Sequence, residues 1–105
     1  MVGRKSLIQQ LKIFKKEAGN EIPIKKMILF GSRAQGKTGR DTDVDLVIVS
    51  PKFKKIGFFR RGIKLYDYWK IHYPVDFLCY TPEEFNKLKK RITIVREAVR
   101  EGKEI

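Results

Sequence analysis

The amino-acid sequence predicts a mixed α/β (α+β) fold, in which a small mixed sheet of three or more strands is backed by helices. Three short apolar runs, at residues 25–30, 43–49 and 75–80, have the length and the Val, Ile, Leu and Phe content of buried strands. Segments with helical spacing separate them, which gives the order α-β-α-β-α-β-α. A chain of 105 residues is large enough for one hydrophobic core, so we expect a single domain over residues 1–105.

The first helix is expected over residues 6–18, where apolar residues recur at helical spacing. Ser6 can cap its start, and Gly19 or Asn20 suits a left-handed position at its C-terminal end. A short helix is expected at residues 32–35, directly after the first strand.

The middle of the chain is expected to contain a basic loop at residues 52–57 and a helix at residues 58–71. The apolar residues of the second segment fall on adjacent helical stripes. Gly57 and Gly62 each weaken such a helix by roughly 1 kcal/mol relative to alanine.

The C-terminal part is predicted to be helical in two segments. Thr81 can cap the first, Pro82 fits its first position, and Glu84 completes a capping box. The second segment reaches Gly102, with these residues directed inward: Ile92, Val95, Ala98 and Val99.

The composition indicates a folded protein of a reducing cytoplasm. Its apolar content of 42% is ordinary for a globular domain, and no apolar run approaches the roughly 20 residues that span a bilayer. The N-terminal residues lack the apolar core of a signal peptide, and the lone Cys79 cannot form an internal disulfide. We therefore expect no membrane partner.

The formal net charge of +12 favours a polyanion, a nucleotide or an acidic protein as partner. Positive charge is concentrated between residues 52 and 64, where no acidic residue occurs, so RNA is one candidate partner for this stretch. Solubility in a Lys-rich proteome is the alternative explanation. The abundance of Lys, Arg and Ile, with few Asn, Gln and Cys, is also typical of a thermophile.

Two aspartates stand at the start of the second predicted strand. Asp43 and Asp45 are two residues apart, so both side chains point to one face of an extended strand. Such a pair is unfavourable unless a cation neutralises it, and Mg²⁺ prefers carboxylates together with phosphate oxygens and water. The alternative is that Asp43 belongs to a turn and Asp45 to a solvated strand end.

Further candidate site residues flank this pair. Gly31 and Ser32 can hold phosphate, because glycine permits a close approach and the serine supplies donors. Arg33 could bind phosphate or form a structural ion pair. Asp76 interrupts the third apolar strand and could complete a three-carboxylate cluster, or form a salt bridge to a lysine.

Three segments together resemble the motifs of the polymerase-beta-like nucleotidyltransferase superfamily: Gly31-Ser32-Arg33-Ala34-Gln35-Gly36, Thr42-Asp43-Val44-Asp45-Leu46 and Val75-Asp76-Phe77. The short chain is similar to its minimal branch, the MNT domain, which in many prokaryotes pairs with a HEPN-domain protein as antitoxin and toxin. Gln35 and Thr42 stand where these motifs often have a basic residue and a serine.

The resemblance implies a nucleoside triphosphate substrate, ATP in the leading interpretation, and two Mg²⁺ ions as cofactor. It implies that Gly31 and Ser32 contact the phosphates and that Asp43 and Asp45 hold the metals. Asp76 would be the third ligand and a candidate base for the acceptor hydroxyl.

Three functions stay open at this point. The leading one is transfer of AMP onto a hydroxyl of a HEPN-type partner protein, since the short chain leaves no room for an acceptor-binding domain. The second is an antitoxin that acts by docking alone. The third is an RNA-directed nucleotidyltransferase or RNA-binding protein. A homo-oligomer also stays open.

Overall fold

The computed structural model describes residues 6–34 and 43–105, apart from the side chain of Ser32. Its helices and strands follow one another as α1 (Leu7–Ala18), β1 (Lys26–Phe30), β2 (Val44–Val49), α2 (Ile63–Tyr66), β3 (Val75–Tyr80), α3 (Pro82–Leu88), α4 (Ile94–Glu101) and β4 (Lys103–Glu104). Short 3₁₀ helices occur at Gly31–Arg33, Pro51–Lys55 and Phe58–Arg60. The predicted α+β class is confirmed.

The four strands form one mixed sheet in the order β3-β2-β1-β4. β1 runs antiparallel to β2 and β4, whereas β2 and β3 are parallel. The three predicted strands agree with the structure to within one residue. β4 was not predicted, because two exposed polar residues carry no periodic pattern.

Both faces of the sheet are covered, as the apolar sequence of β2 predicts. On one face, Val44, Leu46 and Ile48 pack in a core with Leu11 and Phe14 of α1. The opposite face forms a second core between the sheet and the C-terminal helices, with these members: Ile28, Val47, Val49, Tyr80, Phe85, Val95 and Ala98. Each fully buried side chain of this kind stabilises the fold by about 1.5–3 kcal/mol.

The predicted caps of α1 and α3 are confirmed. The side chain of Ser6 accepts from the backbone N–H of Gln9, and the side chain of Thr81 accepts from that of Glu84. Both helices therefore begin with a complete capping box. α1 ends at Ala18 as predicted, but the left-handed conformation expected at Gly19 or Asn20 was wrong, because Gly19 has a right-handed φ of −62° and Asn20 has no positive φ. Among the described residues, only Gly31 has a positive φ.

The continuous helix predicted over residues 58–71 was wrong. The chain instead forms the 3₁₀ turn Phe58–Arg60 and the single turn α2. Gly62 separates the two and lies against the Phe77 side chain, where an added Cβ would come 3.7 Å from the Phe77 Cβ. The apolar residues here do not form one buried stripe, since Leu65 is fully buried while Phe59 is 95% exposed.

Two smaller predictions were also wrong. Most of the expected loop at residues 52–57 is a 3₁₀ helix, which begins where the Ser50 side chain accepts from the N–H of Lys52. Of the four residues expected to face inward near the C-terminus, Ile92 and Val99 are exposed. Ile92 precedes α4, which Thr93 caps.

Arg61 connects β3, an edge strand of the sheet, to α3. Its guanidinium is buried and donates to the backbone oxygens of Ile56 and Cys79 and to the Glu84 carboxylate. This pairing is the main reason that the pKa of Glu84 is lowered. In the part of the chain that the structure describes, no helix has the length and apolar character needed to cross a membrane.

Replacing Arg61 by leucine should lower the free energy of unfolding by about 2–4 kcal/mol, because a buried backbone oxygen, a partly buried one and a carboxylate lose their donor. Urea denaturation measures the change. The exposed neighbour Arg60 is the matched control, and its replacement by leucine should change stability by less than about 0.5 kcal/mol. Equal losses in the two variants would contradict the role given to Arg61.

Candidate active site

Parallel pairing of β2 with β3 brings the predicted carboxylates together. Asp45 and Asp76 are register partners across the two strands. The backbone N–H of Val44 donates to the Pro74 oxygen over 2.9 Å and fixes the start of this pairing. Aligned residues of neighbouring strands stand about 4.8 Å apart and face the same side. The two carboxylates are therefore adjacent, on the face that α3 and α4 cover.

The electrostatics of Asp45 link it to both other aspartates. Asp43 and Asp76 are exposed, whereas Asp45 is half-buried. Burial is the main cause that raises the pKa of Asp45, and the negative charges of Asp76 and Asp43 raise it further. Three acids thus share one small region at the end of the sheet.

Gly31 lies directly against this acidic region. Because β1 is antiparallel to β2, its last residue, Phe30, pairs with Asp45, and the next residue begins a 3₁₀ turn. Gly31 has φ = +73°, and an added Cβ would lie 2.5 Å from the Asp45 Oδ2. The left-handed backbone favours glycine, and a Cβ at this position would displace the Asp45 carboxylate.

Arg33 occupies a structural position in the same turn. It is buried, with its guanidinium carbon 3.9 Å from the centroid of the Tyr73 ring. The contact ties the turn after β1 to the segment that leads into β3. A role for Arg33 in binding phosphate stays a prediction. The Ser32 side chain, Gln35 and Thr42 lie outside the described residues.

The acidic region suits Mg²⁺ as part of a shared site. Among residues 6–34 and 43–105, no three His, Cys, Asp or Glu side chains form a ready metal-binding group. Asp45 and Asp76 are nevertheless adjacent, and a cation would offset both the burial and the repulsion that raise the pKa of Asp45. Mg²⁺ is commonly held by one or two carboxylates together with phosphate oxygens and water. The residues therefore fit a metal that binds together with a nucleotide.

A groove of about 220 Å³ adjoins Gly31 on the side of α4. Its apolar lining is Phe30, Ile94 and Ala98, and two carboxylates, Glu97 and Glu101, complete it. Whole small-molecule sites usually measure about 300–1,000 Å³, so this groove takes only part of a ligand. Sequence reasoning did not single out the two glutamates, because only the packing of α4 on the sheet brings them to Gly31.

A larger cavity, of about 440 Å³, lies at the other end of the sheet. Its lining includes Lys12, Lys15 and Lys16 of α1 and Lys25, which immediately precedes β1. The neighbouring Lys26 pairs with Val49, the last residue of β2, whereas the carboxylates stand at the first residues of that strand. The larger cavity is therefore not the candidate active site, which we place at the aspartates.

Gly31→Ala should lower stability by more than about 1 kcal/mol, because a side chain strains the left-handed backbone, and should abolish any activity of the site, because the new Cβ displaces the Asp45 carboxylate. Gly57 is the matched control, since its φ is −57° and an added Cβ would have no neighbour within 4 Å. Gly57→Ala should be neutral or stabilising by about 0.4–1 kcal/mol. Thermal unfolding compares the two, and a tolerated Gly31→Ala would refute the contact.

Asp45→Asn should make the metal-free protein more stable at neutral pH. The folded-state pKa of Asp45 lies above the unfolded one, so stability falls as the pH rises from the unfolded pKa to the raised value, and the loss is complete above the raised value. Below the ordinary aspartate pKa of 3.8, both states are protonated and the gain should vanish. Denaturation in chelator at the two pH values measures the difference, with the exposed Asp67→Asn as control. A pH-independent difference would contradict the prediction.

Comparison with known proteins agrees with this geometry. A family model described as a nucleotidyltransferase domain matches residues 7–101. Among solved structures, the chain is similar to a "putative nucleotidyltransferase" from Sulfolobus solfataricus, with a TM-score of 0.60 and 20% sequence identity, over 83% of this chain and 85% of that one. That likeness supports the fold. No curated protein matches the sequence. Because the family model covers nearly the whole chain, the protein belongs to the nucleotidyltransferase domain family.

Proposed function

We propose that the protein is a Mg²⁺-dependent enzyme that transfers AMP from ATP onto a hydroxyl of a partner protein. The observation that carries the proposal is the register of Asp45 with Asp76, beside the Gly31 turn, in a nucleotidyltransferase domain. A carboxylate pair next to a glycine turn is an arrangement that can hold a metal–triphosphate.

In the proposed reaction, the acceptor oxygen attacks the α-phosphorus of ATP. The bond from that phosphorus to the bridging oxygen of the β-phosphate breaks, and pyrophosphate leaves. Mg²⁺, held by Asp43, Asp45 and Asp76, would supply charge neutralisation for the attacking and leaving oxygens. Asp76 is exposed and can take the proton of the acceptor hydroxyl. The backbone of Gly31 and Ser32 would position the phosphates, with Arg33 as a further candidate contact.

The acceptor is proposed to belong to another molecule. Asp43 and Asp76 are both exposed, so a large partner can approach the acids. The resemblance to MNT domains suggests a HEPN-type toxin as this partner, in a reducing cytoplasm, with the present protein as its antitoxin. A hydroxyl-bearing side chain of that partner would then receive AMP.

The test incubates the protein with ATP labelled at the α-phosphate, Mg²⁺ and a co-encoded HEPN-type partner. We expect label on the partner, none with ATP labelled at the γ-phosphate, and none in chelator. Asp43→Asn, Asp45→Asn and Asp76→Asn should each reduce the transfer rate by about 100-fold or more. Asp67→Asn is the control, since Asp67 is exposed and is not among the acids that raise the pKa of Asp45.

If the folded protein leaves the partner unlabelled, transfer onto that partner is refuted. Neutralisation of the toxin by both Asp43→Asn and Asp45→Asn would instead favour the second candidate, an antitoxin that acts by docking. Asp45 is half-buried, and burial raises its pKa, so holding its carboxylate ionised there costs free energy. This cost argues for a catalytic use of the acids. RNA as the acceptor and assembly into a homo-oligomer are the remaining alternatives, which labelled RNA and sedimentation would detect.

A further inference from the structure

We propose that the outer surface of residues 58–66 binds single-stranded nucleic acid. This surface, the edge strip, consists of the exposed side chains of these residues: Phe58, Phe59, Arg60, Ile63, Lys64 and Tyr66. It lies outside the candidate active site, and its function does not depend on nucleotide transfer.

The edge strip is held along β3, the edge strand of the sheet. Tyr66 Oη donates to the Val75 oxygen near one end of β3, and Arg61 donates to the Cys79 oxygen near the other. Gly62 lies between these two anchors, against Phe77. Two carbonyls of the edge strand are thereby occupied, and the side chains of residues 58–66 are exposed apart from those of Arg61 and Leu65, which are buried. At about 3.3 Å per residue, the six residues of β3 give the strip a length of roughly 17 Å.

The strip presents aromatic rings that the fold leaves uncovered. Phe59 is 95% exposed, while Phe58 and Tyr66 are each about half exposed. Each of the half-exposed rings packs against a ring of β3. The ring centroids of Phe58 and Tyr80 are 6.0 Å apart, and those of Tyr66 and Phe77 are 5.0 Å apart. An anchored ring with a free face is suited to stacking on an unpaired base, which occurs in single strands and not inside a duplex.

Positive charge that is unpaired among the described residues occurs in the strip and in the residues that precede it in the chain. Lys54, Lys55 and Arg60 are exposed and form no ion pair with any residue that the structure describes. Glu84 and Glu21, two acids that contact this stretch, are already paired with Arg61 and Lys64. The charge of the strip therefore complements a phosphate backbone.

The combination of exposed aromatic rings and exposed cations favours nucleic acid over a protein partner. Protein interfaces are enriched in aromatic residues and Arg but depleted in Lys, whereas three lysines, Lys54, Lys55 and Lys64, accompany these rings in the chain. Cations interleaved with aromatic rings are typical of surfaces that bind single strands. Tyr66 contacts Val75, the neighbour of Asp76, so a strand bound along the strip would lead toward the candidate active site.

Fluorescence anisotropy with a labelled, unstructured oligonucleotide tests the proposal, with one RNA and one DNA probe of the same sequence. We expect binding at low salt that Phe59→Ala weakens about tenfold for each probe that binds. Arg60→Gln should weaken binding and reduce the slope of log K against log salt by about 1. Binding of either probe that Phe59→Ala weakens supports the strip, and comparison of the affinities for the RNA and DNA probes identifies the preferred type of nucleic acid.

The turn between α3 and α4 provides matched controls, because Ile92 is also 95% exposed and follows the exposed Arg91. Ile92→Ala and Arg91→Gln should change affinity less than about twofold. Equal losses in the control variants would show only non-specific attraction to a basic protein and would overturn the proposal. So would the absence of binding at low salt, or a Phe59→Ala variant that loses self-association while its affinity for both probes is unchanged.

Discussion

The parallel pairing of β2 with β3 is the interaction on which the candidate site depends. Asp45 and Asp76 are far apart in the chain, and the register of these two strands makes them neighbours. A slip of one residue would turn Asp76 to the opposite face of the sheet, where it would meet the apolar core under α1. The antiparallel pairing of β1 then adds the Gly31 turn to the same end.

Local signals in the sequence predicted much of the fold. The apolar runs of the three longer strands and the capping residues Ser6 and Thr81 act over a few neighbours, so their effects survive in the folded protein. The segment 58–71 differs because its apolar residues meet three different surroundings. Leu65 enters the core, Tyr66 contacts the edge of the sheet and Phe59 faces solvent. Periodicity along the chain does not distinguish such surroundings, which are set by tertiary packing.

The candidate site was predictable to the extent that strand geometry governs it. The spacing of Asp43 and Asp45 and the position of Asp76 in an apolar strand identified the acids, and their roles stay predictions. Two features of the site depend on contacts between residues far apart in the chain, so no local sequence pattern predicts them. They are the burial of Arg33 against Tyr73 and the groove formed with Glu97 and Glu101. The sign of the site also differs from that of the whole protein, since the chain carries a net charge of +12 while the three acids form a small negative region.

The left-handed Gly31 turn has a consequence for how the protein folds. The contact of Gly31 with Asp45 closes a shorter loop than the pairing of Asp45 with Asp76, and shorter loops close at a smaller loss of chain entropy. Folding therefore favours early formation of the hairpin-like β1–β2 unit, with the long-range β2–β3 pairing later. A half-folded chain already carries the turn and the first two acids but lacks the third. Completion of the acidic set thus depends on the β2–β3 pairing.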